Sequence, residues 1–289
     1  MATIAGSQYN ATASGEPVNV GFDNSGSLPP TVPGAFNLEI FVGTDASAPA
    51  LAPGYQGLAV LSPGGYELDL ISGAFAVTDN GTGGETLAAD GTNETIAGGA
   101  AFSNLILNGN DNTANGGSGG NFIEVNGTGD TVHAGSGGAA IDVSTSGNTI
   151  IGGGGSATIT DLAGGNTIIG GSGPDTITAI GNDDAITGGS GADLVNALGA
   201  GDTVNAGAGN MTIDAVGGGL QFNDNSGAVY NDTIVGFSNA AGDHIHLSGG
   251  DTVQTTAAVN SGQDTLITLS DGSTILLKGV TSVSSSFFN

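Results

Sequence analysis

The sequence predicts an all-β chain wound as a solenoid, and three observations carry that prediction. Residues 80–223 divide into sixteen nonapeptides without insertion or deletion, and the eighth residue of each is apolar at every repeat. That column reads Leu87, Ile96, Leu105, Ala114, Ile123, Val132, Ile141, Ile150, Ile159, Ile168, Ile177, Ile186, Val195, Val204, Ile213 and Phe222, with Ala114 its one small member. A period of nine is too long for a helix. Set in Gly, Asn, Asp and Thr, it describes short strands that each point one aliphatic side chain inward. Alternate nonapeptides also open differently. Gly116-Gly117-Ser118-Gly119, Gly152–Gly155, Gly170-Gly171-Ser172-Gly173 and Gly188-Gly189-Ser190-Gly191 alternate with openings such as Ala179-Ile180-Gly181 and Ala197-Leu198-Gly199. One lap is therefore eighteen residues with two unlike edges, and about eight laps are expected.

The chain divides into three parts. Residues 1–79 hold seven of the eight prolines and do not keep the register, so they read as a β-rich cap or an assembly domain. Strand-like runs there are Asn37–Val42, Gly57–Leu61, Tyr66–Ile71 and Ala74–Val77, separated by Pro/Gly turns. A coil needs its first lap covered, because an open end leaves unpaired N–H and C=O groups. Residues 80–223 are the solenoid. Residues 224–289 read as conventional β, with Asp264–Leu277 as a hairpin turning through Asp271-Gly272.

Composition narrows the partners. The 289 residues include 27 acids, one basic residue (Lys278), 56 Gly and no Cys, for a formal charge of −26. With no positive field to hold phosphates, nucleic acid and anionic membranes are excluded as partners. The natural counter-charge is a divalent cation. No apolar run is long enough to span a membrane, and Met1–Gln8 does not open like a secretory signal.

Two nonapeptides fit G-G-x-G-x-D-x-U-x throughout: Gly170-Gly171-Ser172-Gly173-Pro174-Asp175-Thr176-Ile177-Thr178 and Gly188-Gly189-Ser190-Gly191-Ala192-Asp193-Leu194-Val195-Asn196. In these the chain resembles the RTX (repeats-in-toxin, haemolysin-type calcium-binding repeat) family. The resemblance implies a parallel β-roll with Ca²⁺ in its turns. An ion there would be held by Asp175 and Asp193 with carbonyls of Gly171, Gly173, Gly189 and Gly191, a hard-oxygen set that calcium accepts. On the opposite edge Asp184 and Asp202 also lie eighteen residues apart with Asn182 nearby, a weaker site for want of the double glycine. Elsewhere the sixth position departs from the family, with Asn112, Asn121, Asn148 and Asn166, and with Ala139, Ala157 and Met211, which cannot ligate. One to three ions are expected, not a filled double row. Segments Asp232–Phe237, Gly242–Ser248 and Asp264–Gly279 resemble the tails that follow such repeats and carry an uncleaved type I secretion signal. That implies an extracellular or cell-surface protein.

The remaining signals are weaker. Position seven of one face forms a Thr column (Thr95, Thr113, Thr131, Thr149, Thr167, Thr203, broken by Ala185), and Ile151 with Ile169 beside it suggests an exposed apolar strip for a protein contact. Gly116–Gly120 satisfies G-x-S-x-G by composition alone, without the strand-to-helix turn of a nucleophile elbow. His244 and His246 share a strand face, and no other pair of ring nitrogens is placed to hold a metal. The expected function is a self-assembling structural protein, a surface layer, filament or matrix component whose partner is itself, with cell-surface polysaccharide as a further partner. An adhesin or carbohydrate-binding module is the alternative and an ice-binding protein the more distant one. An enzyme is not expected.

Overall fold

The structure is a computed structural model that describes residues 86–225 and 229–289 in full; before residue 86 it describes strand backbones and a turn at Pro33. The fold is an all-β parallel solenoid of about eight laps of about eighteen residues. Its residues fall into two compact units, Met1–Ala140 and Ile141–Asn289.

In the first unit the expected strand runs are strands: Phe36–Val42, Gly57–Ser62, Gly65–Leu70 and Phe75–Asp79. Three strands ahead of them, Ala2–Ala5, Tyr9–Ala13 and Val18–Asp23, were not foreseen. Both strands of the first lap find partners in this N-terminal region. Glu85–Ala89 runs parallel to Gly65–Leu70, and Thr95–Ala97 runs parallel to Phe75–Asp79. The backbone groups at the start of the coil are thereby paired.

The laps follow the eighteen-residue register. In the first unit Leu87, Leu105 and Ile123 are successive partners in one sheet, and Ile96, Ala114 and Val132 in the other. In the second unit Ile159, Ile177, Val195 and Ile213 stack in one sheet and Ile150, Ile168, Ile186, Val204 and Phe222 in the other. The described members of the eighth-position column are fully buried. Strands on one side are mostly five residues long with every second residue inward, so positions six, eight and one of the next nonapeptide all enter the core. A second inward column follows: Leu107 and Val125 in the first unit, and Val143, Asp161, Ala179, Ala197 and Ala215 in the second. One of these is an aspartate.

The winding continues past Asn223. Ile234 takes the place beneath Ile213, and Ile245 the place beneath Phe222, with loops that lengthen those laps. The expected hairpin forms between Asp264–Leu269 and Thr274–Lys278, turning where Gly272 takes φ +97°. Thr274–Lys278 then lies parallel to Asn231–Val235. No helix among the described residues is long and apolar enough to cross a membrane.

The outer columns differ from expectation. Ile151 and Ile169 are half-buried, not exposed. Besides Leu194 and Val229, the exposed aliphatics of the second unit are instead Leu162, Ile180, Leu198 and Val216, one per lap at eighteen-residue spacing. The amides of Ile180, Leu198 and Val216 donate to the carbonyls of Asp161, Ala179 and Ala197 on the preceding lap, so these side chains stand in file. The equivalent column of the first unit is polar: Asn126 donates to Asn108, and Asn108 to Asp90.

Ile168→Ala should lose about 2–5 kcal/mol in chemical denaturation, because the stacked column cannot close around the hole. Exposed Thr158→Ala should stay within about 0.5 kcal/mol of the parent. Equal losses at both positions would contradict an inward column at position eight.

Candidate metal centre

The corner of each lap sets a local problem. The amide of position six sits where the chain turns into the strand, and a side-chain oxygen of position six one lap later accepts its hydrogen bond. In the first unit the amide of Glu94 donates to Asn112 Oδ1 at 2.8 Å, and that of Asn112 to Asp130 Oδ1 at 2.7 Å. In the second unit Asn148 donates to Asn166 Oδ1, Asn166 to Asp184 Oδ1 and Asp184 to Asp202 Oδ1, at 2.8, 2.9 and 3.0 Å. The opposite edge repeats it, with Ala157 donating to Asp175 Oδ1 at 2.6 Å and Asp175 to Asp193 Oδ1 at 2.9 Å. Where the next lap offers only Met211, the amide of Asp193 turns to the carbonyl of Asn210 at 3.1 Å.

The second polar atom separates Asn from Asp. Asn112 Nδ2 donates to the carbonyl of Gly91 at 3.1 Å, and Asn166 Nδ2 reaches the carbonyl of Ala163 at 2.9 Å. An amide at this corner thus satisfies carbonyls of the turn. An aspartate puts a second acceptor in the same place. Oδ2 of Asp175, Asp184 and Asp202 is buried and receives no hydrogen bond. Such an oxygen needs a proton or a cation, since an unpaired buried charge is costly.

Electrostatics agree. Burial pushes the Asp184 carboxyl up to about 7, with the charges of Asp161 and Asp202 adding to the rise. Burial likewise raises Asp175 to about 6, helped by the charge of Asp193. Asp193 and Asp202 are raised for the same first reason. In the first unit burial lifts Glu94 to about 7 and Asp130 to about 6.

The glycines beside Asp175 and Asp193 are fixed by close approach. A Cβ on Gly170 would lie 2.7 Å from Asp175 Oδ2, and one on Gly188 would lie 2.8 Å from Asp193 Oδ2. Gly171 and Gly189 take φ of +119° and +115°, and a Cβ on Gly189 would meet the Gly171 carbonyl oxygen at 1.9 Å. The sequence thus brings Asp175 and Asp193 into consecutive laps, with Gly189 stacked on Gly171 and Gly191 on Gly173. The Gly171 carbonyl accepts from Ser190 N–H at 2.9 Å, and that of Gly189 from Ala208 N–H at 2.6 Å. The Gly189 carbonyl also accepts from Gly209 N–H at 3.3 Å.

The second edge is more acidic than expected. Asp161, from the inner column, is fully buried, and both of its oxygens accept from Asn166 Nδ2 at 2.9 Å. Burial and the charge of Asp202 push its carboxyl upward. Asp161, Asp184 and Asp202 therefore form one electrostatic group. Asn182 stands apart from it: it is exposed, and its Oδ1 accepts the amide of Ala200 at 2.8 Å. The sequence signal for Asp161 was a charged residue in a column otherwise apolar at period eighteen. Beyond Asn223 the device continues, with Asp232 Oδ1 on the amide of Met211 and Asp243 Oδ1 on that of Leu220. Asp232 is buried, its Oδ2 has no partner, and burial raises it to about 7.

These residues fit a calcium ion in one respect and limit it in another. The orphaned anionic oxygens and the glycine turns supply hard donors in the right places. Among the described residues no three His, Asp, Glu or Cys side chains converge to hold a metal, so backbone carbonyls would complete the shell. His244 Nδ1 lies 2.8 Å from the Gly242 carbonyl and His246 Nδ1 3.0 Å from that of Asn289. Gly116–Gly120 lies between strands Thr113–Asn115 and Asn121–Val125, away from any helix.

No family model matches the chain, and no curated protein matches it. Among solved structures it is similar to the crystal structure of the extracellular lipase LipA from Serratia marcescens, at 19% identity and a TM-score of 0.37. The match covers 72% of this chain and 40% of the lipase, so the chain spans about two fifths of that enzyme's length. At that identity and score the likeness assigns this chain no activity.

The raised carboxyls fix the sign of a pH effect. Between the ordinary value of 3.8 and about 7 the folded chain holds a proton on Asp184 that the unfolded chain has released. In chelator, stability should therefore fall as pH rises through that window. Asp184→Asn keeps the Oδ1 acceptor and should flatten the fall, whereas exposed Asp142→Asn removes the same charge and should not. Urea melts by circular dichroism from pH 4 to 8 decide it, and identical slopes for both variants would refute the buried-carboxylate account.

Proposed function

We propose that this chain is a secreted structural protein, stabilised by calcium, that assembles with copies of itself outside the cell as a surface layer, filament or matrix component. The observation that carries the reading is the set of buried carboxylate oxygens at Asp175, Asp184 and Asp202 that no donor reaches. With a single Lys and no Arg in the chain, its side chains cannot supply a cation to each of them. A divalent ion from the medium can, and its binding free energy would then be folding free energy.

This favours export as an open chain and folding on arrival. Where calcium is scarce, 27 acids repel one another and the buried carboxylates oppose the coil. Where calcium is abundant, the same residues drive it to close. Type I secretion suits such a chain, and the C-terminal segments are where we place its signal. On this reading the chain performs no catalysis of its own.

Assembly is supported by the file of Leu162, Ile180, Leu198 and Val216, which exposes aliphatic surface on an otherwise acidic molecule. Cell-surface polysaccharide is the further partner we assign to the N-terminal residues 1–79.

Purified protein should form ordered sheets or fibres in millimolar calcium, visible by negative-stain microscopy, and EGTA should dissolve them. Particles that stay monodisperse with and without calcium would overturn the assembly reading. An unchanged melting temperature on chelation would overturn the calcium reading separately.

A further inference from the structure

In the second unit, the two sheets end in different ways. The last coil strand of one, His244–His246, is covered by the chain's own tail: Ile245 bridges to Phe288, the amide of Asn289 donates to the Ile245 carbonyl, and Phe287 packs on Phe237 with ring centroids 5.3 Å apart. The other sheet ends in the strand Val253–Val259. It pairs antiparallel with Asp264–Leu269 on one side and is the terminal strand of its sheet on the other.

Three features make this edge unusual for the molecule. Its residues Gln254, Thr255, Thr256, Ala257 and Ala258 are exposed on both faces of the pleat, whereas the coil strands bury every second residue. The strand carries no charge in a chain of formal charge −26. It also lacks the charged residues and prolines that usually keep an edge from pairing. A register shift between Val253 and Thr255 bends only its first residues, and Thr255–Val259 keeps a continuous ladder to Asp264–Thr268.

A free edge offers a row of backbone donors and acceptors that another strand satisfies, and the sequence identifies that strand. An antiparallel two-fold pairing centred on Ala257 sets Thr256 opposite Ala258 and Thr255 opposite Val259. The strand itself carries no acid, so no acid meets an acid within the pairing. Two copies of so acidic a chain repel over most of their surface, and this stretch removes that penalty.

We propose that Val253–Val259 is a seam at which two copies of this chain join edge to edge across a two-fold axis, continuing the sheet from one molecule into the other. The proposal deepens the self-assembly reading and rests on it. It supplies the isologous contact, while a different surface must extend any larger array.

The test uses the full chain in calcium. Ala257→Asp and Ala257→Lys each place like charges face to face on the axis, and each should weaken dimerisation by at least about tenfold in sedimentation velocity. Circular dichroism should be unchanged, because the residue is exposed in the single molecule. Mixing the two variants should restore a one-to-one dimer, which a merely structural role for Ala257 would not produce. If the parent self-associates and both variants do so equally, the seam is elsewhere and self-assembly stands. A parent that remains monomeric across concentration, with and without calcium, would overturn both.

Discussion

At most of the described corners of the coil one backbone amide loses its strand neighbour, and a side-chain oxygen from the following lap takes it. The rest of the structure depends on that bond. Where it forms, position six carries a short side chain with an oxygen two bonds from Cβ, and that side chain is buried. Asn and Asp answer the requirement equally through Oδ1, at 2.8 Å from Asn166 and 2.9 Å from Asp184. They differ only in what the other atom brings. Asn completes the turn by itself, whereas Asp leaves it one cation or one proton short. Choosing between two nearly isosteric residues therefore selects which laps fold unaided and which depend on the medium.

That division accounts for a charge of −26 on a folded chain. Burial raises carboxyls that sit close together, and the Asp161, Asp184 and Asp202 group concentrates the effect in neighbouring laps. Any species that neutralises them and binds only the folded form stabilises that form by mass action. On the proposed calcium reading, protons and calcium would compete for the same oxygens, and acid and calcium would act as alternatives. The apolar columns contribute burial that is indifferent to either. Stability is thus part intrinsic, from stacked Ile and Val, and part conditional, from the corners.

Much of this was legible in the residues. The nine-residue column fixed the inward side chains, the alternation of glycine-rich openings fixed the eighteen-residue lap, and Asp271-Gly272 fixed the hairpin. Asp175 and Asp193 with their glycines were legible because the motif specifies both the carboxylate and the space it needs. Asp161 was hidden, since a period of nine treats its position as a turn, and only a five-residue strand carries it into the core. Asn182 was misleading for the opposite reason: its side chain bonds along the outer file instead of into the corner. The laps beyond Asn223 lost their period to longer loops, although Ile234 and Ile245 resume the columns beneath Ile213 and Phe222. The repeat pattern does not mark the aliphatic file, because Ile180 and Leu198 stand out in it only as missing glycines.

A parallel coil has a weakness that its own repeat cannot cure, since every lap presents its successor with another template. In the second unit the chain resolves this by changing direction: after Ile234 the sheet is completed by Thr274–Lys278, Asp264–Leu269 and Val253–Val259, and the last two pairings are antiparallel. A further copy therefore cannot add as another lap, because no glycine corner or position-six acceptor awaits it there. What the terminal strand does present is a flat, uncharged edge, which accepts a strand of either direction but rejects a coil. The association proposed at that edge would stop at two, and growth beyond two would have to come from side-chain surfaces such as the Leu162–Val216 file. On the proposed assembly, the same break in direction that ends the fold would separate how molecules pair from how any larger array extends.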